Sequence, residues 1–142
     1  MAGRARRAHR GRRGRCGVKL GSLVGGSATV IGLEATVAEA AEALIADGVG
    51  SLAVVEGRRL VGIITERDVV RAVAEEADPE EESVADWMTD APDTFTPDVE
   101  VREAAAWLLE MGYRHMPVMQ EGELLGIVSI RDILWAIISG EE

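Results

Sequence analysis

The chain is poor in the residues that build disulfides, zinc sites and covalent catalysis. Of 142 residues, one is a cysteine (Cys16) and two are histidines (His9 and His115). A single thiol cannot close an intrachain disulfide or build a cysteine-based zinc site. There is no Ser–His–acid or Cys–His set and no phosphate-binding P-loop, so neither a catalytic residue nor a metal site is expected. Long apolar runs are also missing. The densest, Ile133 to Ile138, is far short of the roughly 20 residues that cross a bilayer. The basic start is not followed by the apolar stretch of a secretory leader. A cytoplasmic protein with no membrane partner is the expectation.

Acid is absent from the first 19 residues, which carry eight basic groups: Arg4, Arg6, Arg7, Arg10, Arg12, Arg13, Arg15 and Lys19. Residues 20–142 hold the other seven basic groups and all 25 acids, a net of −18 that the overall −10 conceals. Residues 1–17 contain no aromatic and, after Met1, no large aliphatic residue, so nothing there offsets the entropy of ordering; a disordered basic arm is expected. Three roles stay open for it: a solvated tail or upstream translation, an organelle-targeting segment without the usual serines, or a nucleic-acid tether acting through phosphate neutralisation. Nucleic acid is a partner only through this arm, because the remainder is strongly acidic.

What the remainder does contain is a duplication. A shift of 64 residues aligns 35–73 with 99–137 without a gap, and 13 of the 39 pairs are identical, among them Leu44/Leu108, Gly62/Gly126, Arg67/Arg131 and Asp68/Asp132. Each copy reads β-α-β-β-α. In the first, Thr36 and Glu39 form a capping box, Val37, Ala40, Ala41, Leu44 and Ile45 recur at helical spacing, and Gly48 stops the helix. Ser51–Val55 and Leu60–Ile64 are β-branched runs around a hairpin at Glu56–Arg59. Thr65 opens a second helix with Val69, Val70 and Val73 on its apolar face. The second copy predicts a helix over Val101–Met111, strands at Met116–Met119 and Leu124–Val128, and a helix over Ile130–Ile138. Short strands near Val30–Ile31 and Thr94–Phe95 precede the two units. The expected division is arm 1–17, first repeat 18–76, acidic connector 77–83 and second repeat 84–142. Each half alone has little apolar area, so the two are expected to pack together.

Chemistry concentrates at two matching junctions, Gly62-Ile63-Ile64-Thr65-Glu66-Arg67-Asp68 and Gly126-Ile127-Val128-Ser129-Ile130-Arg131-Asp132. A strand ends in a hydroxyl residue, and an aspartate follows in the first helical turn. Helix capping accounts for that pattern by itself. The same geometry also gathers a hydroxyl, free backbone N–H groups and a carboxylate. That set suits a ribose diol with phosphate nearby, so both readings stand.

With these junctions, Met116-Pro117-Val118 ahead of the second hairpin, and Trp87-Met88-Thr89 leading to Thr94-Phe95-Thr96-Pro97, the chain resembles a tandem cystathionine-β-synthase (CBS) domain pair, or Bateman module. The resemblance covers residues 18–138. It implies an α/β (α+β) fold of two β-α-β-β-α repeats related by a pseudo-twofold axis, packed as one module with two clefts. It also implies that adenosine-containing ligands (AMP, ADP, ATP or S-adenosylmethionine) occupy such clefts, with the Asp on the ribose; no cofactor is required. One cleft would combine Thr65 and Asp68 with Thr94, Thr96, Tyr113, Arg114 and His115. The other would combine Ser129 and Asp132 with Val30, Gly32, Val49 and Gly50.

The second set is mostly aliphatic and glycine, and the first repeat has Gly32-Leu33 and Ala53 where the second has Thr96-Pro97 and Pro117. One competent site built on Asp68, with a weaker Asp132 cleft, is therefore expected. Met88, Met111, Met116 and Met119 read as core filler. Trp107 and Trp135 stand opposite Ala43 and Arg71, which suits packing or the interface of a homodimer of such modules. The functional expectation is a regulatory module that senses an adenosine-type small molecule and acts on an unknown protein. The alternatives are a ligand-free interaction module and the nucleic-acid tether.

Overall fold

Thr36 begins the first long helix as its chemistry dictates. Its hydroxyl accepts from Glu39 N–H at 3.1 Å, and Glu39 Oε1 accepts from Thr36 N–H at 2.9 Å. Helix α1 (Val37–Asp47) then runs to Gly48, whose φ of 63° gives the left-handed stop that glycine tolerates best. Strands β3 (Ser51–Glu56) and β4 (Arg59–Thr65) follow, joined through Gly57-Arg58. Helix α2 (Glu66–Ala74) opens on the Thr65 cap. The second copy repeats the plan: α4 (Val101–Met111), β7 (His115–Gln120), β8 (Glu123–Ser129) and α5 (Ile130–Ile138). Its hairpin turn places Glu121 and Gly122 at φ of 50° and 82°, as a two-residue primed turn requires.

The computed structural model describes residues 8–9, 17–24 and 28–139. It is a mixed α+β protein with two four-stranded sheets and, among the described residues, five α-helices. The chain divides into two units, one built on residues 28–92 and one on 93–139 together with 17–24. In the first, β2 (Val30–Gly32) lies parallel to β3, and β5 (Thr89–Asp90) closes the sheet on β4, giving the order β2-β3-β4-β5. In the second, β6 (Thr94–Phe95) is parallel to β7 and carries β1 (Ala8–His9) on its outer edge. That two-residue strand falls inside the expected disordered arm. Apart from Gly17, the rest of the arm, with Cys16, lies outside the described residues.

Each unit has its own core. Ala40, Leu44, Leu52, Val54, Ile64 and Val84 are buried together in the first. Leu20, Phe95, Val99, Leu108, Met116, Val128 and Ile133 are among those buried together in the second. Leu20 is the informative member, because the sequence assigns it to the first repeat. Its N–H donates to Val99 O at 2.8 Å, and Val101 N–H donates to Val18 O at 2.9 Å. The first unit shows the same pair 64 residues on: Val84 N–H to Ala35 O at 2.8 Å and Val37 N–H to Glu82 O at 2.9 Å. Lys19 bridges Glu100 as Ser83 bridges Thr36. The duplication therefore extends to residues 18–24 and 82–88, and the earlier copy of this lead-in segment completes the later unit.

Gly62 and Gly126 lie close against the ends of the two lead-ins, Gly62 the more tightly. A Cβ on Gly62 would meet Met88 Sδ at 2.4 Å and Thr89 O at 2.8 Å, and one on Gly126 would meet the Val24 side chain at 3.0 Å. The acidic connector is likewise fastened. Pro79 O accepts from Ala38 N–H at 2.8 Å, and with Glu82 O it satisfies donors that the first turn of α1 leaves open. Beyond it lies a short helix absent from the sequence reading, α3 (Val84–Trp87).

Helix faces depart from the periodicity at several positions. Val70 and Val73 are exposed, and the buried residues of α2 are Asp68 and Ala72. Ile45 is 84% exposed although it continues the apolar stripe of α1. Met111 is exposed rather than core filler, whereas Met116 and Met119 are buried. An apolar stripe wider than the unit's own core can cover leaves its margin in solvent.

Candidate functional site

The two junctions fold alike and differ in how their carboxylates are used. At the first, Thr65 N–H and Thr65 Oγ1 donate to Asp68 Oδ2 at 2.9 and 3.1 Å, and Asp68 N–H donates to Thr65 Oγ1 at 3.3 Å. The other oxygen, Oδ1, accepts from Arg71 Nη1 at 3.1 Å. Asp68 is 7% exposed. Arg71 also donates through Nη2 to Trp87 O at 3.2 Å, and its guanidinium lies 5.4 Å from the centre of the Trp87 ring. Trp87 Nε1–H donates in turn to Glu82 Oε1 at 3.0 Å.

At the second junction Ser129 N–H donates to Asp132 Oδ2 at 3.0 Å and Asp132 N–H to Ser129 Oγ at 3.1 Å. Asp132 is exposed, and among the described residues its Oδ1 has no hydrogen-bond partner. Trp135 stands where the first junction has Arg71, and it is 72% exposed.

The remaining site residues fall as follows. Val49 and Gly50 precede β3 in the first unit, where Gly50 O accepts from Glu66 N–H at 3.0 Å at the start of α2. Val30 and Gly32 are exposed on β2. In the second unit Arg114 O accepts from Ile130 N–H at 2.8 Å, and His115 pairs across the sheet with Ser129. Arg114 and His115 thus stand beside Ser129 and Asp132 within one unit. Tyr113 packs on Trp107 with ring centres 5.8 Å apart, and Trp107 makes an edge contact with buried Phe95 at the same separation. Thr94 is 1% exposed, and Thr96 donates its hydroxyl to Asp98. Both capping readings are thereby realised, and each junction retains acceptor capacity beyond its cap. Sequence reasoning passed over Arg71. Its signal was an Asp–Arg pair three positions apart, which places the two on one helix face.

These features define a duplicated module with a hydroxyl–carboxylate junction in each unit. The sequence profile of the CBS domain family matches residues 27–75 and 84–139, and the chain belongs to that family. An uncharacterized 17.7 kDa protein of Acidianus ambivalens is 41% identical over 105 residues, covering 72% of this chain and 63% of its own length. The chain spans less than two thirds of the length of such curated relatives. Among solved structures, a signal-transduction protein with CBS domains from Burkholderia ambifaria superposes with a TM-score of 0.83 at 27% identity, over 88% of this chain and 97% of that one. A CBS domain protein of Pyrobaculum aerophilum, complexed with AMP, superposes with a TM-score of 0.76 at 27% identity, over 86% and 99%. No described helix is long and apolar enough to cross a membrane.

Proposed function

We propose that this chain is a ligand-sensing regulatory module that binds an adenosine-containing nucleotide at Asp68 and responds by changing its packing or its affinity for a partner protein. The observation that carries the reading is the Thr65–Asp68 junction with its buried carboxylate, in a family with an AMP-bound member. The role proposed is binding rather than catalysis, in keeping with the match to CBS domains and to a signal-transduction protein with CBS domains.

A thermal-shift panel of AMP, ADP, ATP, S-adenosylmethionine and NADH tests this. Ligand at 100 times Kd stabilises by about 2.7 kcal/mol, so at least one adenosine compound raises the melting temperature clearly at millimolar concentration. A flat response to all five favours the ligand-free interaction module.

A second reading has its own support. Asp132 is open, and Arg114 and His115 flank Ser129 in the same unit, which favours a ligand at the second junction. The two aspartates are separable by mutation, as argued below.

Self-association belongs to the same proposal. Leu109, Leu134, Trp135 and Ile138 of α4 and α5 are all more than half exposed, an apolar face suited to a second copy of this chain. Sedimentation of the full chain is expected to give a dimer. Trp135→Glu shifts it to monomer, and a monomeric parent chain at tens of micromolar refutes the homodimer.

A further inference from the structure

Arg71 makes three contacts at once, and none is needed to form the fold. It holds Asp68 Oδ1 at 3.1 Å, holds Trp87 O at 3.2 Å and covers the Trp87 ring at 5.4 Å. The second unit is the internal control. Trp135 replaces Arg71 there, Leu23 replaces Trp87 and Val18 replaces Glu82, and the same sheet, cap and helix form without the polar network. The network is an addition to the first unit.

Its effect on Asp68 follows from counting acceptors. An ionised carboxylate offers about four lone-pair sites. Three at Asp68 receive Thr65 N–H, Thr65 Oγ1 and Arg71 Nη1. About one remains, whereas the two adjacent hydroxyls of a ribose need two. A diol gains its second acceptor by displacing Arg71, and an Arg71 that leaves Asp68 is no longer positioned to hold the Trp87 carbonyl.

We propose that Arg71 is a latch that couples ligand capture at Asp68 to the segment Glu82–Met88. This rests on the reading of Asp68 as the ligand carboxylate. With the latch shut, Asp68 is partly occupied and α3 is held against α2. Ligand capture opens the latch and loosens α3. By linkage, whatever ligand does to α3, loosening α3 does to ligand affinity. Arg71 is a positioning residue in this scheme, and its removal strengthens binding.

The test uses the full chain, with Arg71→Met to remove the donors while keeping the stem and Arg71→Lys to keep the charge without the two-armed geometry. Amide hydrogen exchange without ligand is read at residues 84–88, where Met88 N–H is bonded to Val84 O at 2.9 Å. Exchange there is expected to rise at least threefold in Arg71→Met and by less in Arg71→Lys. Calorimetry with AMP is expected to give a Kd three- to tenfold lower in Arg71→Met, and saturating AMP is expected to raise exchange at 84–88 in the parent chain. Unchanged exchange in ligand-free Arg71→Met overturns the latch whatever AMP does. Weaker AMP binding in that variant overturns it too, making Arg71 a ligand contact. A gain in affinity that persists in an Asp68→Asn background also overturns it, since the coupling then bypasses Asp68. Faster exchange with no AMP binding to any form overturns the ligand reading and the coupling with it, and leaves Arg71 a structural clamp on α3.

Discussion

Leu20→Ala is expected to lower the melting temperature of the chain by roughly 5–15 °C, a larger loss than any surface substitution would cause. Leu20 is fully buried among Phe95, Val99, Leu108, Val128 and Ile133, although the first of them, Phe95, lies 75 positions further along the chain. Removing a buried leucine side chain costs about 2–5 kcal/mol, the spread depending on how far the site collapses. The short helical turn around Leu20 is otherwise held by backbone hydrogen bonds to Val99 and Pro97, and Val18 and Val24 pack beside it against the same core. Differential scanning calorimetry measures the effect, and hydrogen exchange locates it. Protection falls first at β7 and β8, with the first unit less affected. A change below about 2 °C, or one centred on residues 28–92, refutes the assignment of this segment to the second unit.

The second large effect concerns ligand. Asp68→Ala is expected to abolish AMP binding in calorimetry, and Asp132→Ala to change Kd by less than threefold. Asp68→Asn separates recognition from folding, because the amide oxygen can still accept from Thr65 N–H and so preserves the cap, while the charge that a diol prefers is gone. Alanine also leaves Arg71 without its carboxylate and removes the carboxylate half of the capping box, while Thr65 Oγ1 still accepts from the N–H of residue 68. The comparison is therefore made well below each variant's melting temperature. Equal losses from Asp68→Ala and Asp132→Ala would mean two equivalent sites. The reverse ranking would place the ligand at Asp132 with Arg114 and His115.

The duplicated hydroxyl–carboxylate junctions were legible because they are local: a cap spans three residues, and both boxes form as Thr65-x-x-Asp68 and Ser129-x-x-Asp132 require. The hairpins and the stops at Gly48 and Gly112 were legible for the same reason. The destination of residues 18–24 was not. Aligned with 82–88 they share no identical pair, so the repeat fades where the segment begins, and which core receives Leu20 is a tertiary choice. The stripe of α2 misled for a related reason. Val70 and Val73 obey helical spacing, but the unit directs Asp68 and Ala72 inward and leaves those valines exposed. The Asp68–Arg71 pair was local and could have been read, whereas the contact of Arg71 with Trp87, 16 residues away, could not.

The lead-in arrangement also bears on how the chain matures during synthesis. Residues 28–92 are continuous, so the first unit has all of its own parts as soon as they leave the ribosome. The second does not. Leu20 emerges early, whereas Val128 and Ile133, which bury it, follow about 110 residues later. At about 5–20 residues per second, that leaves an apolar segment waiting roughly 5–20 s for its seat. During that interval the vacant lead-in of one nascent chain can be taken by the second unit of another. Exchange of this segment between molecules is thus an expected route to misassembly when elongation is slow and nascent chains are crowded.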